Sequence, residues 1–284
     1  ARGDYDTALK YLEQSLAIRK EIGDRAGEGA TLNNISQIYR ARSENDTALK
    51  YLEQSLIISK VIGDRAVEGT TLSNMSAIHH AQGDYEKALP LFKESVAIFR
   101  ETGGKAEEGT LLNNISQIYH ARGDYDTALK YLEQSLAIRK EIGDRASEGT
   151  TLNNISLIYR ARSEYDTALS YLEQSLIISQ EIGDRAGEGT TLNNLATTAY
   201  AKGEHDKALE YLEQSLVIRK EIGDRRGEAE TSWNIGHIYK AQGDLTKAEQ
   251  YISRAVELAE EIGHPKLEEW RKALEELRAE IRGR

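Results

Sequence analysis

Asparagine recurs where a helix-forming pattern should not want it. Asn33, Asn113, Asn153 and Asn193 hold one position of a repeated segment, with Ser73 and Trp233 at the same place in two other copies. The next position holds Asn34, Asn74, Asn114, Asn154, Asn194 and Asn234 without a break. An amide side chain competes with the helix backbone for hydrogen bonds, so six at equivalent interior positions need a reason. A structural reason is that the amides bond a neighbouring helix, or that the position is merely copied by duplication. A functional one is that an amide offers both donor and acceptor, matching the peptide unit of a bound chain. Gln37 and Gln117 lie on the same side, and a partly basic row borders it: Arg40, His80, His120, Arg160, Tyr200 and Lys240. That row favours acidic side chains or a terminal carboxylate.

Other chemistry fares worse. The chain has no cysteine, which removes disulfides, thiolate metal sites and cysteine nucleophiles together. Of six histidines, His79 fills a tyrosine position, His205 follows a helix start and His264 reads as an N-cap. His80, His120 and His237 face outward; His80 and His120 are equivalent in adjacent copies, at helix spacings of about 8–10 Å, but lack a third ligand. The 47 carboxylates sit in repeated, similar settings, whereas an acid–base pair needs two environments that push pKa values apart. Gly27-x-Gly29 follows no strand, so it fails the context of a phosphate loop. No catalytic residue, cofactor or metal site is expected, and the chain reads as a non-enzyme. A net charge of −10 argues against nucleic acid and anionic membranes as partners. With no long apolar run and no leader pattern, the expected location is the cytoplasm.

The elements that position these rows come from a period of 40 residues: Ala8-Leu9 returns at 48, 88, 128, 168 and 208. A period of 120 lies over it, and residues 3–26 recur unchanged as 123–146. Each unit reads as two helices. Ala8, Leu9, Leu12, Leu16 and Ile22 make one helical face; Leu32, Ile35, Ile38 and Tyr39 make another. Gly-Asp junctions stop one helix and cap the next, with Gly3-Asp4 read as the first of them. Glycine at 29, 69, 109, 149 and 189 is read as permitting close helix approach. A 40-residue pair cannot bury its apolar face alone and must stack on its neighbour. The expected fold is an all-α solenoid of stacked antiparallel helix pairs.

These residues resemble the tetratricopeptide repeat (TPR) family. Leu112-x2-Ile115-Ser116-x2-Tyr119 and Ala128-x3-Leu132 match its two sequence elements, and Ile235-Gly236-x2-Tyr239 comes closer still. The longer repeat, closing on Gly-Asp-Arg, is similar to the Pins/LGN class of peptide-binding adaptors. The resemblance implies a right-handed superhelix of about 14 helices spanning 1–284. Its parts would be an orphan second helix over 1–23, six pairs over 24–263 and a capping helix over 264–284. It also implies that the first helix of each pair lines a concave groove. The Asn33 and Asn34 rows, Gln37, Gln117, Arg40, His120, Arg160, Lys240 and Trp233 would then face a peptide ligand, its backbone held by the asparagines and its side chains acidic. The alternatives are the regulatory or sensor portion of a larger signalling protein or enzyme, and an architectural or oligomerisation module, natural or engineered.

Two irregularities complete the reading. Unit three has Pro90 within a helix and Gly104 where other units have a capping aspartate, so it is expected to be the weakest seam. The N-terminal helix is an unmodified copy of an interior one, so Tyr5, Leu9, Leu12 and Leu16 are expected to lack full cover and to drive self-association.

Overall fold

The structure, a computed structural model, describes residues 2–283, with side chains from Asp4 onward. Ala1 and Arg284, the outermost residues of the expected solenoid, lie outside the described residues. The described residues form fourteen α-helices and no strand. The chain divides into two compact units, 1–142 and 143–284. The first holds α1 (Arg2–Glu21), α2 (Arg25–Ala41), α3 (Asn45–Ile62), α4 (Arg65–Ala81), α5 (Tyr85–Thr102), α6 (Lys105–Ala121) and α7 (Tyr125–Ile142). The second holds α8 (Arg145–Ala161), α9 (Tyr165–Glu181), α10 (Arg185–Lys202), α11 (His205–Glu221), α12 (Arg225–Ala241), α13 (Leu245–Ile262) and α14 (Leu267–Gly283). Within each unit a helix packs chiefly on its chain neighbours, while first helices also meet, α2 with α4 and α8 with α10. Each unit is an α-solenoid of stacked antiparallel pairs.

Local chemistry explains the regularity. Gly63 and Gly103 end their helices at φ 71° and 77°, where a Cβ would cost energy. Asp24 then caps α2, its Oδ1 accepting from the Gly27 N–H at 2.9 Å, and Asp64, Asp84, Asp184, Asp224 and Asp244 act alike. Ser43 and Ser163 take the left-handed position without being glycine, and Glu44 and Glu164 follow them with no side-chain cap. At the start of the chain the expected stop-and-cap does not form: α1 begins at Arg2, so Gly3 and Asp4 lie inside its first turn. At the other end α14 begins only at Leu267, and His264, expected as its N-cap, instead closes the turn before it, its Nδ1 accepting from the Lys266 N–H at 3.2 Å.

A serine on each second helix ties the pairs together. Ser55, Ser95, Ser135, Ser175 and Ser215 donate to the carbonyls of Gly29, Gly69, Gly109, Gly149 and Gly189 at 2.8–2.9 Å. A methyl on Gly69 would sit 2.9 Å from Ile98 Cγ2, so glycine is required there. On Gly29 or Gly149 it would meet nothing nearer than 3.5 Å, and Ala229 occupies that position in the sixth pair.

The third unit departs from the others for a packing reason. Gly104 leaves α6 without a side-chain cap, as expected. Yet a Cβ at 104 would lie 2.6 Å from Cδ1 of the buried Phe99 ring. The phenylalanine has taken the space that aspartate uses elsewhere, and Phe92 and Phe99 enlarge the local core. Gly104→Asp therefore should not gain the roughly 1 kcal/mol of a restored cap. It should lose about 1–3 kcal/mol to overpacking. Chemical denaturation of the variant decides the sign, and a stabilised Gly104→Asp would refute the packing account.

Candidate functional site

The inner asparagine row is built into the solenoid. Asn33 is 7% exposed and sits between α2, α3 and α4. Its Nδ2 donates to Ser55 Oγ and Thr71 Oγ1, both at 2.7 Å. Those hydroxyls spend their own protons on the carbonyls of Gly29 and Val67, so each oxygen needs a donor facing it. That need fixes the amide orientation, and Oδ1 of Asn33 must point to the next row. There it accepts from Asn74 Nδ2 at 3.0 Å. The second unit repeats the relay: Asn153 donates to Ser175 and Thr191 at 2.6 and 2.9 Å and accepts from Asn194 at 2.9 Å. Asn193 donates to Thr231 at 3.4 Å and accepts from Asn234 at 3.3 Å.

Asn33 was expected on the open face and is buried instead, because Ser55 and Thr71 of the neighbouring helices close over its amide; Asn113, Asn153 and Asn193 are half-buried, as are the second-row asparagines from Asn74 onward. In the second row Asn74, Asn194 and Asn234 each commit one amide N–H to the preceding first helix. What Asn74, Asn194 and Asn234 can offer a ligand is the carbonyl oxygen and the other N–H. Asn113 and Asn154 also have partners. Asn114 differs, since the residue at the accepting position is Ser73, too short to reach. Among the described residues its side chain makes no hydrogen bond. Asn34 is exposed at the first pair.

Two cavities open beside this row in the second unit. One, of about 410 Å³, lies between α8, α9 and α10, where Asn153, Asn154 and Asn194 meet Thr150, Thr190 and Leu157. The other, of about 290 Å³, is lined by Thr197, Tyr200, Leu212, Asn234 and His237. The threonines and Leu157 were not singled out in the sequence, and Tyr200 was placed there only as a member of the border row. Their signal was available: each lies one helical turn from a row asparagine or closes the border row. Volumes of this size admit a side chain or a short segment held by polar contacts. Among the described residues no group of three metal-ligating side chains comes together.

Tetratricopeptide-repeat family models match residues 1–60, 67–141 and 147–221, and a second such model matches 229–262. The chain belongs to the tetratricopeptide repeat family. Solved structures agree on the TPR fold. A STAND-class signal transduction ATPase with a TPR sensor, from Pyrococcus horikoshii, superposes with TM-score 0.75 at 20% identity, over 94% of this chain and 41% of that one. BtubC (BKLC) from P. vanneervenii gives 0.63 at 21% identity, over 89% and 92%. Aspartyl phosphate phosphatase F from Bacillus subtilis gives 0.68 at 15%, over 93% and 74%. At these identities the likeness concerns fold. A search of curated protein sequences finds no match to this chain. No catalytic family is indicated, and among the described residues no helix is long and apolar enough to cross a membrane.

On the TPR frame the border row divides. His80 and His120 turn onto Tyr85 and Tyr125, 5.6 and 5.7 Å between ring centres, rather than toward each other. Burial pushes the His80 pKa below the usual imidazole value, and His237 is lowered by burial and by Lys240, so both are neutral at pH 7. Arg160 reaches only a hydroxyl, Nη1 to Thr197 Oγ1 at 2.6 Å, and burial lowers its pKa from the ordinary guanidinium value. Arg40, Arg160 and Lys240 make no ion pair among the described residues. Lys10, Lys50 and Lys130 make none either, whereas Arg65 binds Glu68 at 2.7 Å and Glu101 at 2.8 Å. Gln37 is half-buried and Gln117 exposed. Trp233 is half-buried and stacks on Trp270 of α14 at 4.6 Å and 10°.

Proposed function

We propose that this TPR chain is a cytoplasmic protein-interaction scaffold, a single solenoid over 1–284 that holds a peptide or helical segment along the face of its first helices. The observation that carries the reading is that Arg40 in the first unit, and Arg160 and Lys240 in the second, make no ion pair among the described residues, while asparagines of the second unit line two cavities. In a molecule of net charge −10, cations left unpaired are available to an acidic ligand. The contact set is Asn34, Asn74, Asn114, Asn154, Asn194 and Asn234 with Gln37, Gln117, His120 and the three cations. Matched glutamate-rich and glutamine-rich peptides, titrated by fluorescence anisotropy at low and high salt, test this. The acidic peptide should bind more tightly, and its advantage should fade as the screening length falls from about 10 Å at 0.1 M to 3 Å at 1 M. Equal affinities at both salts would remove the acidic preference.

A second reading is the regulatory or sensor portion of a larger signalling protein. It is favoured by the fold likeness to the ATPase whose own TPR part is a sensor and of which this chain spans 41%. Self-association through α1 is part of the proposal, because that helix leaves Tyr11, Ile18 and Ile22 exposed.

A further inference from the structure

We infer that the cleft between α5 and α7 binds a small organic anion, one that carries a ring or short acyl body beside its negative group.

The cleft has a volume of about 680 Å³ and lies within the first unit. It opens between two second helices rather than along the first helices that carry the asparagines. Leu112 and Ile115 of α6, both buried, form its floor, and Val96 and Tyr131 stand on its walls. Lys93, Arg100 and Lys130 surround it, and among the described residues no carboxylate lines it. Arg100 is already partly answered, its Nε donating to Glu108 at 2.6 Å and its Nη2 to Gln134 at 3.1 Å. The second of these bonds ties α5 to α7 and closes one end, so the space suits a molecule and not a chain running through. Lys93 donates to the Tyr119 hydroxyl at 3.3 Å. Neither Lys93 nor Lys130 makes an ion pair among the described residues.

This arrangement is peculiar to one pair of helices. Five other second helices carry glutamate where α5 has Lys93: Glu13, Glu53, Glu133, Glu173 and Glu213. At the Lys130 position of the helix that follows each of them stand Lys50, Pro90, Ser170, Glu210 and Gln250. Only between α5 and α7 do two lysines meet. The carboxylate of α5 sits one residue later, at Glu94, about 100° around the helix, where it pairs with Lys60 of α3 at 3.4 Å. Val96 stands where the same five helices have leucine, which widens the cleft by a methylene. Two like charges beside one space repel, and an anion held between them removes that repulsion. A floor of leucine and isoleucine offers a bare ion nothing, whereas a ring or acyl group laid on it leaves water.

Anilinonaphthalene sulfonate, which joins a sulfonate to an apolar ring system and fluoresces on leaving water, is the probe. Titrated into the full chain, it should bind saturably. Lys93→Glu, which installs the residue of the other units, and Lys130→Glu should each weaken binding about tenfold. That is the effect of reversing one charge about 6 Å away in water. Lys50→Glu makes the same change at the equivalent position across from Glu13 and should leave binding unaltered. Phenylnaphthylamine, the same body without the sulfonate, should bind weakly and ignore all three substitutions. Circular dichroism should give equal helical content for every variant. Equal losses from Lys50→Glu and Lys130→Glu would overturn the site by showing that net charge alone matters. Undiminished binding to Lys93→Glu would overturn it by placing the probe elsewhere. Displacement by inorganic sulfate at concentrations matching the probe's own would overturn the ligand class, since the apolar floor would be idle. Displacement by the glutamate-rich peptide would overturn the small-molecule reading in favour of a protein ligand.

Discussion

Trp270→Ala should unfold the C-terminal end of the chain while the rest stays helical. Trp270 is buried against α12 and α13, stacked on Trp233 at 4.6 Å on one side and on His264 at 4.6 Å on the other. It shares its core with Ile252, Val256, Ala259, Leu274 and Leu277. Truncating a buried tryptophan costs about 3–5 kcal/mol, and the apolar cover α14 keeps is then chiefly Leu274 and Leu277, with Leu267 and Ile281 beside them. Its other ties are side-chain bonds at the surface, Arg278 to Glu249 at 2.7 Å and Arg271 to Glu260. In a solenoid the loss stays with the neighbours of the damaged repeat. Melting should therefore become biphasic, with an early phase confined to roughly α12 to α14. The chain has two tryptophans, and these are the stacked pair, so the near-ultraviolet signal of their coupling should vanish. A single transition at the original temperature would refute the cap.

Fourteen helices were legible in the sequence because their determinants are local. A glycine at φ 71° and an aspartate accepting from the residue three ahead act within one turn, and the 40-residue period states where each turn falls. What a helical wheel cannot supply is lateral contact. On the wheel Asn33 and Asn34 both project away from Leu32, Ile35 and Tyr39. In the solenoid the next first helix covers Asn33 through Thr71 and leaves Asn34 open. Trp233 shows the same limit, since its row position gives no hint that Trp270, 37 residues on, would lie flat against it. Gly104 shows the converse: the missing cap is legible in the sequence, but the Phe99 ring that fills the space of a capping side chain is not. The Ser55-to-Gly29 tie escaped notice because serine and glycine were read separately, each on its own helix.

The same lateral contact separates two asparagines that the sequence treats alike. Asn153→Ala removes donors to Ser175, Thr191 and the Gly149 carbonyl, and it strands the Asn194 amide that donates to Oδ1. Losing a relay of this kind should cost about 1–3 kcal/mol, since buried polar groups are left without partners. In a chain of this size that is a drop of several degrees in melting temperature. Asn114→Ala removes an amide that bonds nothing among the described residues, because Ser73 stands where an acceptor should be. Its effect on stability should stay within about 0.5 kcal/mol. If that amide serves a ligand, the variant should instead weaken binding of the acidic peptide by about 0.5–1.5 kcal/mol, the worth of one hydrogen bond. Asn154 is a poorer probe, since it already has a partner and its loss would mix both effects. Thermal melts and anisotropy titrations on the two single variants separate the roles. A stable Asn153→Ala would show the relay to be dispensable, and an Asn114→Ala that melts early yet binds normally would make the second row structural as well.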